Sequence, residues 1–204
     1  MIRLILARHG NTFETGQTPI QVGARTDLPL TQQGRGQAEQ IANFLHRQKI
    51  KPAAIFAGAL KRQTESAEII GKQLGIPIEL NQTALTEIDY GPWEGLTSEE
   101  IVKRWPREYA RWTEEGRWAE KIFGGSKENH LQKIDLWLDS LRKKYRAGET
   151  VVAITSNGTI RFFLQNTDFQ KPAGELKVKT GHFCELELAR DRLIVKSWNQ
   201  NPTH

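Results

Sequence analysis

The chain has 204 residues, of which 26% are charged and 38% are hydrophobic. This balance is typical of a globular protein and excludes a disordered or collagen-like chain. The 29 lysines and arginines exceed the 24 aspartates and glutamates, and this mild excess of positive charge allows anionic ligands without requiring nucleic acid. Because Cys184 is the single cysteine, an intramolecular disulfide and a cysteine-based metal cluster are both excluded.

No stretch of the sequence predicts a targeting or membrane segment. The apolar run at 2–7 is too short for a signal-peptide core, and no run approaches the ~20 apolar residues that a membrane span needs. We therefore expect a cytoplasmic protein that has no membrane partner.

The sequence predicts strands that alternate with helices. Apolar or β-branched runs that are typical of buried parallel strands lie at 2–7, 53–57, 77–80 and 151–155. Apolar residues at helical spacing predict helices that begin near Thr31, span 60–74, run from the Gly124-Gly125 pair to Gly148, and carry Ile160 and Phe163. Two further strands are predicted at 184–188 and 193–198. This order predicts an α/β fold, a three-layer sandwich with a mainly parallel sheet flanked by helices, in a single domain spanning 1–204.

A helical excursion at about 96–124 interrupts the alternation. Thr97 and Glu100 have the spacing of a capping box, which predicts the start of a helix. Tryptophans crowd this stretch and its approach, at positions 93, 105, 112 and 118. We expect the excursion to cover the end of the sheet that holds the functional site, with its indole rings in core packing or along a substrate pocket.

Five polar side chains follow the carboxyl ends of the predicted strands. Arg8 and His9 end the first strand, and Arg62 follows the second at the start of its helix. Glu87 lies in the loop after the third strand, and Asn157 follows the strand at 151–155. Because the carboxyl ends of parallel strands share one edge of a sheet, we expect these side chains to meet there.

The chemistry of this set favours phosphoryl transfer. Two guanidinium groups bind phosphate oxygens in a bidentate manner. A neutral imidazole between them is able to attack phosphorus, and the nearby positive charge keeps that imidazole neutral. A carboxyl group is able to protonate the leaving oxygen and then to activate water.

Five sequence blocks, in order along nearly the whole chain, carry a family resemblance. They are Arg8-His9-Gly10-Asn11-Thr12, the stretch 23–38, Leu60-Lys61-Arg62 with Ser66-Ala67, the stretch 85–95, and Ser156-Asn157-Gly158 with Ile160-Arg161. Together they resemble the histidine phosphatase superfamily, in its phosphoglycerate-mutase-like branch.

The resemblance implies a role for each matching position. His9 would be the phosphorylated nucleophile, Arg8 and Arg62 would clamp the phosphoryl group, and Glu87 would be the general acid. Further contacts to a small phosphorylated substrate would come from Asn11, Thr12, Thr15, Asn157 and Gly158. The family's phosphatases need neither a metal ion nor a cofactor.

The sequence departs from the family pattern most clearly at Asn157, where the family has a second histidine. An amide still donates a hydrogen bond but cannot become cationic, and the loss of one charged donor lowers a rate by ~10²–10³. We therefore expect impaired or altered activity. His182 is a candidate for compensation, although it does not align with the motif and a structural role is the simpler interpretation. Thr15 and Gly58 depart from an asparagine and a serine that are common in the family.

Several functions remain open at this point. The preferred hypothesis is a phosphatase that forms a phosphohistidine on His9. One alternative is a catalytically degenerate member that binds phosphorylated ligands, and Asn157 supports it. The other is a mutase-type phosphotransferase. A mutase has to retain its intermediate in a closed pocket, and the excursion is short for closing one. A nucleic-acid-binding module has only the basic charge in its favour, and the basic runs at 142–144 and 177–179 are expected to be solvated faces.

Overall fold

A computed structural model, which describes residues 1–167 and 176–203, places six strands in one mixed sheet. The strands are β1 (Ile2–Arg8), β2 (Ala54–Ala57), β3 (Ile78–Glu79), β4 (Thr150–Thr155), β5 (Phe183–Leu188) and β6 (Leu193–Gln200). Their spatial order is β3-β2-β4-β1-β5-β6. The first four strands are parallel to one another. On the other side of β1, β5 pairs antiparallel with β1, and β6 pairs antiparallel with β5.

The described residues form six α-helices, which connect or flank the strands. They are α1 (Gln32–Arg47), α2 (Lys61–Leu74), α3 (Ser98–Arg104), α4 (Pro106–Ala110), α5 (Lys127–Lys144) and α6 (Asn157–Phe163). The Thr31 hydroxyl caps α1 by accepting from the Gly34 amide, and the predicted capping box of Thr97 and Glu100 opens α3. No helix in the described ranges is long and apolar enough to cross a membrane.

The sheet buries both of its faces, and this makes the molecule three-layered. Side chains alternate between the two faces along β1. Leu4 and Leu6 pack into the core on the side of α5, α6 and the excursion, whereas Ile5 and Ala7 pack against α1 and α2. The predicted α/β sandwich with a mainly parallel sheet is thus the observed fold.

The excursion contains α3, α4 and a π-helical turn at Arg111–Glu115. Its aromatic side chains meet at Phe123, which lies 5.1 Å from the ring of Trp93 and 5.1 Å from that of Trp112 in edge-to-face geometry. Both tryptophans are buried, so core packing is one of their roles. Trp112 also lines a cavity at the sheet edge, and the expectation that this cavity takes substrate stays a prediction.

The predicted end of the long helix at Gly148 is wrong. Helix α5 stops at Lys144, and Tyr145 already has an extended backbone. Gly148 lies in the following turn with φ of +93° and donates its amide hydrogen to the carbonyl of Met1. The glycine therefore shapes the turn that leads the chain into β4.

Candidate active site

The predicted site residues converge at the carboxyl ends of the parallel strands. A cavity of about 730 Å³ opens there, within the ~300–1,000 Å³ range of small-molecule sites. Eight of the nine predicted residues line it, namely Arg8, His9, Asn11, Thr12, Thr15, Arg62, Glu87 and Asn157. Gly158 is not one of the lining residues.

His9 follows the last residue of β1 and is positioned by hydrogen bonds of its backbone amide and of its imidazole ring. Its amide hydrogen bonds to the carbonyl of Thr155 on β4, and its side chain is only 5% exposed. The Nδ1 atom lies 2.7 Å from the carbonyl oxygen of Gly10. A carbonyl only accepts, so Nδ1 carries the hydrogen, and Nε2 keeps its lone pair.

The electrostatic environment of His9 favours the neutral ring. Burial, together with the positive charges of Arg62 and Arg8, lowers the pKa of His9 well below its ordinary value. Both arginines line the same cavity as His9. The site therefore presents an uncharged imidazole with a lone pair on Nε2 in a positively charged environment.

Arg8 is held by the segment around Val178. Its Nη1 donates to the carbonyl of Val178 at 2.7 Å, and its Nε is buried with no hydrogen-bond partner in the described part of the chain. Burial lowers the pKa of Arg8 to about 10, so it remains cationic at neutral pH. The free donors of this guanidinium suit an anion in the cavity.

Arg62 is held by the loop at 23–27, which belongs to the second of the five sequence blocks. This side chain is 1% exposed and donates to the carbonyls of Thr26 and Gly23 at 2.8 and 3.1 Å. Glu94 braces that loop, because its carboxylate accepts from the Thr26 hydroxyl at 2.6 Å. These contacts give residues 23–27 and Glu94 a supporting role for Arg62.

The side chain of Glu87 packs against the first turn of α6. Its Oε1 accepts from the amides of Ile88 and Thr159 at 2.9 and 3.0 Å, and its Oε2 accepts from the Gly158 amide at 3.1 Å. The side chain is 7% exposed and lines the cavity. Three backbone donors thus fix the direction of the carboxyl group.

Gly158 serves the site through its backbone and its lack of a side chain. A Cβ atom at this position would lie 2.1 Å from the hydroxyl of Tyr90 and 2.6 Å from Oε1 of Glu87. The glycine therefore allows Tyr90 and Glu87 to approach the start of α6. The prediction that Gly158 contacts substrate stays a prediction, and its position favours a supporting role.

Asn157 presents an amide whose orientation is set by its oxygen. Its Oδ1 accepts from the Val178 amide at 2.8 Å. The side-chain nitrogen Nδ2, with its two donor hydrogens, is therefore not used in this hydrogen bond. Asn11 is more fully engaged, since its Nδ2 donates to Gln33 and its Oδ1 accepts from Thr180. Thr15 lies on an exposed part of the rim.

Gln63 is a buried residue whose role the sequence did not predict. Its Nε2 donates to the Leu85 carbonyl and to the Ser156 hydroxyl, at 2.9 and 3.0 Å. It thereby ties the loop before Glu87 to the turn before α6. A Cβ atom at Gly58 would lie 2.1 Å from Oε1 of Gln63 and 2.8 Å from the carbonyl oxygen of Leu85, so a side chain at position 58 would require Gln63 to shift.

Other wall residues were also missed as site candidates. Tyr90 and Arg161 line the cavity, and burial raises the pKa of the Tyr90 hydroxyl well above its ordinary value. His182 lines it as well, and its Nδ1 lies 3.1 Å from the carbonyl of Asn199. No group of three or more metal-binding side chains occurs within residues 1–167 and 176–203.

Comparison with known proteins gives a consistent result. A family model described as the histidine phosphatase superfamily, branch 1, matches residues 4–201. The chain is 28% identical over 162 residues to phosphoserine phosphatase 1 of Hydrogenobacter thermophilus, covering 79% of this chain and 74% of that protein. It is 27% identical over 198 residues to a metal-independent phosphoserine phosphatase of Arabidopsis thaliana, covering 96% and 80% respectively.

The fold is also found among solved structures. A mycobacterial glucosyl-3-phosphoglycerate phosphatase in complex with inorganic phosphate matches with a TM-score of 0.79 at 23% sequence identity, and the match covers 99% of each chain. At this identity the likeness establishes the fold alone. Because the family model spans nearly the whole sequence, the chain belongs to the histidine phosphatase superfamily, branch 1.

Proposed function

We propose that the protein is a phosphatase that hydrolyses small phosphomonoesters through a phosphohistidine on His9. The observation that carries this proposal is the state of the His9 ring. Its Nδ1 hydrogen is committed to the Gly10 carbonyl, and the charges of Arg62 and Arg8 oppose its protonation. The remaining Nε2 lone pair has the freedom that a nucleophile needs.

The first half of the reaction transfers the phosphoryl group to the protein. Nε2 of His9 forms a bond to phosphorus while the bond from phosphorus to the ester oxygen breaks. Arg8 and Arg62 stabilise the charge on the non-bridging oxygens. The carboxyl group of Glu87 gives its proton to the departing oxygen, so the product leaves as an alcohol.

The second half returns the protein to its starting state. The Glu87 carboxylate accepts a proton from water as the water oxygen attacks phosphorus. The bond between phosphorus and Nε2 of His9 breaks, and inorganic phosphate leaves. This use of one carboxyl group as acid and then as base requires the fixed orientation that the amides around Glu87 supply.

Asn157 lowers the expected rate of both steps. Its amide donates to a phosphoryl oxygen from Nδ2 but carries no charge, whereas the family's histidine is able to become cationic. The expected cost is ~10²–10³ in rate. For the same reason Asn157 favours a second candidate function, in which the protein binds phosphorylated ligands without turnover.

Hydrolysis of p-nitrophenyl phosphate in the presence of a chelator distinguishes these functions. We expect slow phosphate release that His9→Ala abolishes, whereas the matched variant His46→Ala, at an exposed position on α1, retains it. Phosphate binding that depends on Arg8 and Arg62, without any hydrolysis, would establish the binding function instead. Hydrolysis that survives in His9→Ala would contradict the proposal.

A further inference from the structure

The loop that carries Glu87 is held by two elements at one carbonyl group. The Leu85 carbonyl accepts from the Thr155 hydroxyl at 2.5 Å. It also accepts from Nε2 of Gln63 at 2.9 Å. Because Thr155 ends β4 and Gln63 lies in the first turn of α2, the position of the loop depends on both of these elements.

Gln63 has no exposed surface, with an exposed fraction of 0%, and its amide nitrogen has an acceptor for each of its two hydrogens. The acceptors are the Leu85 carbonyl at 2.9 Å and the Ser156 hydroxyl at 3.0 Å. Gln63 also follows Arg62 directly on α2. One side chain therefore connects the helix of a proposed phosphate clamp with the loop of the proposed proton donor and with the turn that begins α6.

The start of α6 has an unusual acceptor for its free amides. Among the described residues, Ser156 occupies the N-cap position of α6 without making a capping hydrogen bond through its side chain. A serine at this position commonly accepts from the amide of the residue two or three positions further on. Here these residues are Gly158 and Thr159, and their amides donate to the carboxylate of Glu87 at 3.1 and 3.0 Å. The carboxylate thus takes the place of the capping hydroxyl.

Ser156 and Glu87 are therefore alternative acceptors for the same pair of amides. Free amides at the start of a helix are satisfied by either kind of side chain. The backbone of Ser156 already has the extended conformation of an N-cap residue, with φ of −118° and ψ of 162°, so capping needs only a rotation of its side chain to another rotamer. Gln63 opposes that rotation, because its amide donates to the hydroxyl in the present position.

Gly58 makes room for the amide of Gln63. A Cβ atom at position 58 would lie 2.1 Å from Oε1 of Gln63 and 2.8 Å from the Leu85 carbonyl oxygen. The same Oε1 accepts a long hydrogen bond of 3.4 Å from the Leu60 amide. The amide is therefore confined by its neighbours as well as by its two acceptors.

We propose that Gln63 is a positioning residue for proton transfer, which acts by holding the Ser156 hydroxyl away from the start of α6. The amides of Gly158 and Thr159 are thereby left to orient Glu87. The inference rests on the proposed function and adds a residue that acts through others, since Gln63 is not among the described residues that line the cavity. A misplacement of about 1 Å in such a site is enough to lower a rate by ~10².

Kinetics with two leaving groups tests the positioning role. Gln63→Met removes both donor hydrogens and fills a similar volume with an adaptable apolar chain. We expect kcat/KM for glycerol 3-phosphate, whose alkoxide needs a proton, to fall about tenfold or more, and kcat/KM for p-nitrophenyl phosphate to fall much less. Gln73→Met is the matched control at an exposed position of α2, and its ratio of the two values is expected to equal that of the unaltered protein.

Two further variants separate positioning from a merely structural role. Ser156→Ala removes the hydroxyl that competes for the amides, so the double variant Gln63→Met/Ser156→Ala is expected to recover part of the ratio lost in Gln63→Met. A merely structural role predicts no recovery, because the second replacement removes another polar group. Gly58→Ala displaces the Gln63 amide without removing it, and it is expected to lower the ratio in the same direction.

Amide proton NMR gives a readout that needs no turnover. In otherwise unaltered protein, Glu87→Gln is expected to shift the amide signals of Gly158 and Thr159, because their acceptor loses its charge. In the Gln63→Met background the same replacement is expected to shift them much less, since Ser156 then accepts from them. This difference, without hydrolysis of either ester, would retain the positioning role and overturn the phosphatase. Equal shifts in both backgrounds, a ratio that Gln63→Met leaves unchanged, or no recovery in the double variant would overturn the positioning role.

Discussion

Asn157 and Val178 are joined by a hydrogen bond of 2.8 Å in which the backbone amide of Val178 donates to the side-chain oxygen of Asn157. The carbonyl of the same Val178 accepts from Arg8. One peptide segment therefore orients both a proposed phosphate clamp and the amide that is predicted to replace the family's second histidine.

Asn157→His is accordingly expected to raise the rate of p-nitrophenyl phosphate hydrolysis, by up to ~10²–10³, because it restores a donor that is able to carry charge. Steady-state assays of both proteins measure the change. Asn157→Ala is the companion variant and is expected to fall below the unaltered protein, because it removes the donor. A lower rate in Asn157→His would show that position 157 is not equivalent to the family's histidine.

Glu87→Gln is expected to affect esters according to their leaving groups. An alkoxide from glycerol 3-phosphate needs a proton in the transition state, so its release is expected to slow by ~10²–10⁴. Nitrophenolate leaves without one, and its release is expected to slow much less. The ratio of the two kcat/KM values is the measurement, because kcat/KM reports the first half of the reaction only, and partial loss of folded protein lowers both values equally. An unchanged ratio would exclude Glu87 as the proton donor.

The protonation state of His9 is open to direct measurement. Burial and the two arginines lower its pKa, so the ring is expected to titrate with a midpoint below the ordinary ~6.5 and to be neutral at neutral pH. Nitrogen NMR of histidine-labelled protein reports both the midpoint and the tautomer, and His9→Ala assigns the signal. A midpoint at or above that ordinary value, or a hydrogen on Nε2 in the neutral ring, would contradict the assigned geometry.

Gly10 is expected to tolerate no side chain, because a Cβ atom there would lie 2.1 Å from the backbone oxygen of Gly34. Gly10→Ala is expected to lower the free energy of unfolding by ~1–3 kcal/mol or more, as overpacking does. Gly36→Ala is the matched control on α1, where no atom lies within 4 Å of the added carbon, and it is expected to stabilise by ~0.5–1 kcal/mol. Denaturant unfolding of both variants gives the comparison, and equal stabilities would refute it.

The elements that place the site were predictable because local patterns determine them. Apolar runs located β1, β2 and β4, and the rule that parallel strands end at one edge brought His9, Arg62 and Glu87 to one cavity. The departure at Asn157 stays a prediction, and it came from a recognisable block of the same kind. Periodicity and turn chemistry are encoded over a few residues, so a single sequence reveals them.

Features that depend on distant contacts were not predictable. Gly148 looked like a helix end, but its amide bonds to Met1 and the helix stops earlier because Tyr145 turns to an extended backbone. Nothing in the sequence near Lys177 shows that its segment borders the cavity, because that depends on bonds from Val178 to Arg8 and Asn157. The partner of Arg161, the carbonyl of Trp112, is likewise distant in sequence.

The account depends on transfer of phosphorus to His9, and intact-protein mass spectrometry tests this most directly. After brief mixing with a phosphomonoester and an alkaline quench, which preserves phosphohistidine, a fraction of the protein is expected to gain the mass of one phosphoryl group. Peptide mapping should place that group on His9, and Asn157→His should gain it faster. A phosphoryl group on another residue, or turnover in which His9 is never modified, would contradict the account.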